Sequence, residues 1–533
     1  MNIKITAVSS LAKIFSHEKE YECEKTTRLP LLCGEKGGVQ FVLEADCDCE
    51  VPFSVKSELP VEVFTVREVY CDKSLIGSLP ENCTVLNNAD IGFYPDAAEK
   101  VGETLTLKKD SLLCVYCEVT GEKTGEHTVI FGVGGKSAEV SVSVAPAAMP
   151  EQTLICTNWF HTDCLMSYYK VEAFGEEYWR ITENFVKNAV AHGVNMILTP
   201  LFTPALDTEV GAERPTVQLV GVTKKGYTYE FEYSNFDRWV EMCLKNGVKY
   251  FELSHFFTQW GAKHAPKIVA RTKTGERRIF GWKTDSLSRG YMSFLRQLGE
   301  SLKEHTDKLG ITGICYVHCS DEPSAHDIRR YRKCAAAVKT YFSAYTHMDA
   351  LSEYKFYSEG LVDLPVPSEA SIDDFAGRTD RLWTYYCCGP YENEYPNRFL
   401  FLPLIKVRII GVLLYKYACE GFLHWGFNFW YTQLSRRLVD PYTETTAGGA
   451  FPAGDGFIVY PGENGEPVCS IREKSFRDGV NDYGALKALE AKKGRDFALG
   501  VIRDTLGDIS FTSYPLSSAR FETFRARLVK ELE

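Results

Sequence analysis

A four-part phrase recurs through the longer, later part of this chain: amphipathic helix, glycine, short apolar run, polar loop. In 177–192 the residues Tyr178, Ile181, Phe185, Val186 and Ala189 fall at helical spacing; Gly193 follows, then the apolar run Val194–Leu198. Asn246-Gly247 leads in the same way into Val248–Leu253, Leu309-Gly310 into Ile314–Cys319, and Glu420-Gly421 into Phe422–Trp425. Helices that alternate with buried strands build a parallel sheet. Further strands are expected at Leu154–Asn158, Val362–Val366 and Arg381–Cys387, with a weaker one near Phe342–Thr346. About eight strands over roughly 380 residues favour a (β/α)8 barrel over an open doubly wound sheet. No Gly-x-Gly-x-x-Gly follows a strand and no Walker sequence occurs, so no nucleotide cofactor is expected.

The first 147 residues read differently. Short runs at Val39–Leu43, Val61–Val69, Leu112–Val119, His127–Val133 and Glu139–Val144 alternate with glycine-rich turns, which predicts an N-terminal β-sandwich domain. The stretch 145–150 reads as a linker, and 148–533 as the α/β barrel with long C-terminal loops. A formal charge of -11 without any basic block argues against a nucleic-acid partner. No apolar stretch is long enough for a membrane helix. The opening Met-Asn-Ile-Lys lacks the features of a signal peptide, and 18 scattered cysteines fit free thiols; together they lead us to expect a cytoplasmic protein.

In a barrel of this class the chemistry sits at the C-terminal ends of the strands. Those ends carry Asn158, Thr199, Ser254-His255, Cys319-Ser320-Asp321-Glu322-Pro323, Tyr385-Tyr386 and Trp425. Asp321 and Glu322 stand out: two carboxylates directly after an apolar strand and before a proline that disfavours helix at Glu322. Two such groups repel, and one is pushed toward the protonated state that a general acid needs. An acidic pair ahead of a helix also serves simply as an N-terminal cap, and the residues alone leave both readings open. Ordinary glycosidases set acid and nucleophile on opposite sides of the scissile bond. Neighbours in one loop suit substrate-assisted hydrolysis instead, in which the sugar's 2-acetamido oxygen attacks C1.

The motif Ser320-Asp321-Glu322-Pro323, with Glu420–Gly426, Asp440-Pro441-Tyr442, Gly454–Gly462, Ser470-Ile471-Arg472 and Arg477–Tyr483, resembles glycoside hydrolase family 123. Trp383–Cys388 and Tyr395-Pro396-Asn397 are similar to that family too, and the likeness spans roughly residues 150–500. It implies a retaining, exo-acting β-N-acetylgalactosaminidase whose partner is a carbohydrate ending in N-acetylhexosamine. By the same resemblance Glu322 is the general acid/base and Asp321 holds the acetamido N–H. Tyr385 or Tyr386 would donate to the acetamido oxygen, and Trp425 and Trp430 would wall the sugar ring. Lacking an export signal, the chain is expected to meet a short imported oligosaccharide.

The remaining candidates carry a plain structural alternative each. His255, at a strand end, is a candidate ligand contact; His318, inside a strand, reads as a packed core histidine. Asp455 and Arg472 could bind sugar hydroxyls or pin a loop through a salt bridge. Trp159 and Trp260 follow strand ends, yet long loops often bury a tryptophan as their own core. Cys114 and Cys117, Cys47 and Cys49, and the vicinal Cys387-Cys388 read as idle thiols, and no histidine spacing suggests a metal. Two rivals remain. A glycosidase without an acetamido requirement would need a third carboxylate, Glu252 or Asp363; a silent carbohydrate-binding protein would not need the intact pair.

Overall fold

A computed structural model of the chain describes residues 2–18, 25–72 and 82–533. Eight parallel strands form its centre, in sequence order around a ring: β1 (Ile155–Asn158), β2 (Met196–Thr199), β3 (Tyr250–Leu253), β4 (Cys315–Val317), β5 (Thr346–Ala350), β6 (Leu364–Val366), β7 (Trp383–Tyr385) and β8 (Gly421–His424). β8 pairs back onto β1. The gap between β6 and β7 is spanned by one parallel bridge, Ser368 to Tyr385, and by the Tyr385 N–H donating to the Pro367 carbonyl at 3.0 Å. The result is a nearly closed barrel.

The strands are short and buried at almost every position, so they read as apolar runs. Alternation puts Ile155, Met196, Leu198, Tyr316, Met348, Leu364, Trp383 and Leu423 into one interior cluster. The intervening residues face the helices: α1 (Glu176–Ala191) buries Tyr178, Ile181, Phe185, Val186 and Ala189, the stripe expected from sequence. α2 (Ser234–Lys245), α3 (Arg289–Leu309) and α4 (Ile328–Tyr341) follow. α3 ends on Gly310 at φ +70°, a left-handed cap that a β-carbon would strain. Gly421 opens β8 for another reason. A β-carbon there would lie 2.2 Å from the Trp383 ring.

One expected strand is displaced. The run Phe342–Thr346 is not a strand: Phe342 caps α4, and β5 begins only at Thr346. β5 carries His347 and Asp349 among its five residues and so lacks an apolar signature, whereas Phe342 and Tyr345 are apolar because they pack at the helix end.

The N-terminal region is β-rich, in two sheets. Phe41 and Val115 of the seven-stranded sheet share an apolar cluster with Phe131 and Val140 of the five-stranded one, and the Phe41 and Phe131 rings stack at 4.9 Å. The seven-stranded sheet also recruits Pro467–Ser470 and Tyr460–Pro461 from the far end of the chain. Directly after them runs α5 (Ile471–Lys493), buried on nearly every face. Its charged residues are paired, as burial demands: Lys474 and Arg477 with Glu118, and Arg472 with Asp96. A small four-stranded sheet, not foreseen from sequence, is built from the loops after β2 and β3. Among the described residues no helix is long and apolar enough to cross a membrane.

Candidate active site

A cavity of about 590 Å³ opens at the C-terminal ends of the strands. Asp321 and Glu322 line it after β4, Tyr385 at the end of β7, Trp425 after β8 and Trp159 after β1. Leu206, Leu423 and Phe451 supply apolar wall; Asp207, Gln259 and Trp260 complete one side.

The loop that carries the carboxylates is held from three directions. Asp349 on β5 alternates with the inward-facing Met348 and Ala350. It accepts hydrogen bonds from the backbone N–H groups of Cys319 (3.0 Å) and Ser320 (3.4 Å), and from the hydroxyl of Tyr331 on α4. The Ser320 hydroxyl donates to the Thr258 carbonyl at 2.8 Å, and the Trp260 N–H to the Asp321 carbonyl at 3.0 Å. The Glu322 N–H donates to Ala350 at 3.1 Å. Held this way, Glu322 adopts φ +41° ahead of Pro323, a left-handed conformation that costs a non-glycine residue about 1–3 kcal/mol and concentrates at functional sites.

Beneath the pair lies a buried chain of charges. His318 sits 2.6 Å from Glu252 and 3.1 Å from Asp349. Burial opposes its charge, but the hydrogen bonds to Asp349 and Glu252 outweigh burial and push the imidazole up to about 9. Asp349 is buried as well, yet His347 and His318 hold its carboxyl below the usual range. Glu252 accepts from the Trp159 indole at 2.6 Å and from the Thr157 hydroxyl, which fixes the indole at the cavity floor. Above this layer the Asp321 carboxyl is pushed well up, first by burial and then by the adjacent Glu322. The Tyr385 hydroxyl donates to Glu322 at 2.6 Å.

Of the residues expected from sequence, Asp321, Glu322, Tyr385 and Trp425 meet in the cavity. The Trp425 indole donates to Asp455 at 3.1 Å, so Asp455 lies behind the wall; burial pushes its carboxyl up to about 7 against the pull of Arg398. Tyr386 is buried behind β7 against Phe422 and His424. Trp430 packs on Tyr168 and Phe185, away from the cavity, because its indole is spent on the Val459 carbonyl at 3.3 Å. Arg472 is fully buried, forked onto Asp96 of the N-terminal sheet and bonded to the carbonyls of Arg398 and Gly454; it has no donor free for a sugar. His255 stacks on His318 at 4.2 Å, and burial with that neighbour keeps it neutral. Asn158 is buried at the end of β1, its side-chain oxygen without a protein partner.

Neither carboxylate weighed as a third group borders the cavity. Glu252 is enclosed below it, and Asp363 is exposed and paired with Lys339 at 2.6 Å. Five lining residues escaped sequence reasoning: Leu206, Asp207, Gln259, Ala350 and Phe451, none in a motif. Trp159 and Trp260, expected in loop cores, line the cavity; Trp260 is half exposed. Asp207 is pushed up to about 6 by burial, although it accepts the Leu434 N–H at 2.9 Å. Among the described residues two groups of donor atoms could share a cation, Cys319–His347–Asp349 and His192–Cys469–Glu473; all are buried and none lines the cavity.

The sequence model of the glycoside hydrolase family 123 catalytic domain matches residues 159–489, which span β2 to β8, the loop that carries Asp321 and Glu322, and most of α5. The chain belongs to glycoside hydrolase family 123. It is a glycoside hydrolase that acts on a carbohydrate. Among solved structures, a family 123 enzyme from Clostridium perfringens, described in a study of glycolipid glycan hydrolysis, has the same fold: TM-score 0.75 at 16% identity, over 100% of this chain and 98% of that one. A family 2 glycosyl hydrolase from Bacteroides cellulosilyticus is far more distant, at TM-score 0.29 and 11% identity over 81% of this chain and 51% of its own. No curated protein sequence matches significantly.

Proposed function

We propose that this family 123 enzyme removes a terminal β-linked N-acetylgalactosamine with retention, using the substrate's own acetamido group as nucleophile. The observation that carries the proposal is the placing of Asp321 and Glu322 side by side at the end of β4, both on the cavity wall. In the first step the acetamido N–H donates to Asp321 and the acetamido oxygen attacks C1. Glu322 gives its proton to the glycosidic oxygen, the C1–O bond breaks, and the aglycone leaves from an oxazoline-like intermediate. Glu322 then takes a proton from water as the water oxygen attacks C1, which reopens the ring with net retention.

The electrostatics support this division of labour. In the free enzyme Asp321 is the member pushed toward protonation, and the Tyr385 hydroxyl donates to Glu322. An acetamido N–H arriving at Asp321 favours its anion and leaves the proton to Glu322. Tyr385 is then free to turn its O–H to the acetamido oxygen. Trp425, braced by Asp455, and Trp159, braced by Glu252, give the sugar ring apolar faces on two sides.

A second reading rests on Asp207, the one further carboxylate on the cavity wall among the described residues, as partner in a mechanism with no acetamido requirement. The test compares nitrophenyl β-N-acetylgalactosaminide with nitrophenyl β-galactoside, in the wild type, Asp321→Asn and Asp207→Asn. Hydrolysis of the acetamido sugar alone, abolished by Asp321→Asn, supports substrate assistance. Equal rates on both sugars, abolished by Asp207→Asn, overturn it.

We also take the two N-terminal sheets as a β-sandwich domain ending near residue 147, with 148–533 as the catalytic domain. Their shared apolar cluster and the stacked Phe41 and Phe131 rings support that division.

A further inference from the structure

Cys387 and Cys388 follow β7 and border the same cavity as Asp321 and Glu322. Their sulfurs lie 3.9 Å apart, and neither is in a disulfide. Cys388 is the only exposed cysteine among the described residues; Cys387 is half-buried beside it. The pair is also wired to the reacting groups. The Cys387 thiol is pushed well up by its hydrogen bond with Cys388, by burial, and by charge on Cys388 and Glu322; Cys387 acts in turn on Tyr385.

Resting on the active site assigned above, we propose that Cys387 and Cys388 form a redox-active dithiol at the cavity mouth, which a low-molecular-weight disulfide closes into a vicinal disulfide that shuts down hydrolysis. The exposed Cys388 loses its proton to solvent and attacks one sulfur of the reagent. The reagent's S–S bond breaks and one thiolate leaves with the electron pair. The Cys387 thiol then gives up its proton to solvent as its sulfur attacks the Cys388 sulfur and expels the second thiolate; the two departing thiolates take up the two protons, so two protein thiols are oxidised and the reagent is reduced to two thiols.

Closure draws the sulfurs from 3.9 Å to a bond of about 2.05 Å. It pulls Cys387 from its 3.5 Å contact with the Gly389 carbonyl and reshapes the wall two residues beyond Tyr385, the residue that holds Glu322. Adjacent Cα atoms are about 3.8 Å apart, below the span of about 4.4–6.8 Å usual for bridged cysteines. The bond is therefore strained and readily reduced, as a reversible switch requires.

The experiment treats the full-length protein with excess oxidised glutathione and digests it without reduction for peptide mass mapping. Hydrolysis of nitrophenyl β-N-acetylgalactosaminide is followed before treatment, after it, and after dithiothreitol, in the wild type and in Cys388→Ser. The expected result is loss of two hydrogens from the peptide holding both cysteines, a fall in rate of about tenfold or more, and full recovery with dithiothreitol. Cys388→Ser should keep its own untreated rate. An unmodified pair, or a stable glutathione adduct on Cys388, overturns the dithiol. Closure with unchanged activity, or equal inhibition of Cys388→Ser, overturns the switch. Failure of the untreated enzyme on this substrate would instead count against the proposed sugar, and the mass map would still decide the dithiol.

Discussion

Replacing His318 with glutamine removes the cation between Glu252 and Asp349 while keeping a side chain that can hydrogen-bond to both. In the folded protein the imidazole titrates at about 9, against 6.5 when free of its neighbours. At about 1.4 kcal/mol per unit, that difference stabilises the fold by about 3 kcal/mol. Because the folded value is the raised one, the contribution is fully present below pH 6.5 and is lost as pH rises through 9. Other buried groups titrate nearby, notably Glu473, which burial raises to about 8, and Lys13, which burial lowers to about 7. The diagnostic quantity is therefore the difference between two proteins. Urea unfolding of wild type and His318→Gln, followed by tryptophan fluorescence between pH 6 and 10, should show a gap in stability that narrows by about 3 kcal/mol between pH 6.5 and 9. A gap constant across that range would refute a charged His318, and with it the buried charge layer beneath Asp321 and Glu322.

Tyr385→Phe removes the hydroxyl that turns to the acetamido oxygen, a hydrogen bond worth about 0.5–1.5 kcal/mol, so kcat/KM should fall about twofold to tenfold, whereas Tyr386→Phe, whose hydroxyl has no hydrogen-bond partner among the described residues, should stay near wild type. Arg472→Ala should destabilise the protein by about 3–5 kcal/mol in urea unfolding by leaving Asp96 buried and unpaired, with KM unchanged in whatever fraction remains folded. Gly421→Ala should be harsher than a usual glycine replacement, because its methyl group meets the Trp383 ring at 2.2 Å; a wild-type thermal midpoint would contradict the packing of β8 on β7.

Seven of the eight barrel strands were legible because they are apolar runs framed by glycine and polar loops; β5 was not, because His347 and Asp349 interrupt it. That one displacement hid Asp349, the residue that anchors the loop carrying Asp321 and Glu322. Asp321 and Glu322 stood out in the sequence because two acids and a proline follow closely on an apolar strand. Arg472 sits in an equally distinctive motif and Trp430 just beyond one, yet their partners lie far off in sequence or in another layer: Asp96 is 376 residues from Arg472. No local pattern records such a pairing. Glu252 was noticed for its charge, but whether a strand carboxylate opens to the cavity or is spent on an indole and an imidazole depends on neighbours from two other strands. Asp207 and Gln259 stand in loops, where residue type alone says little about position.

The central claim, that Glu322 moves the proton in both halves of the reaction, is tested most directly by kcat/KM for Glu322→Gln on nitrophenyl β-N-acetylgalactosaminide. A positioned general acid/base contributes about 10²–10⁴-fold, and a loss of that size in a protein that unfolds in urea like wild type is the expected result. A rate within a few-fold of wild type would contradict the assignment and remove Glu322 from the chemistry.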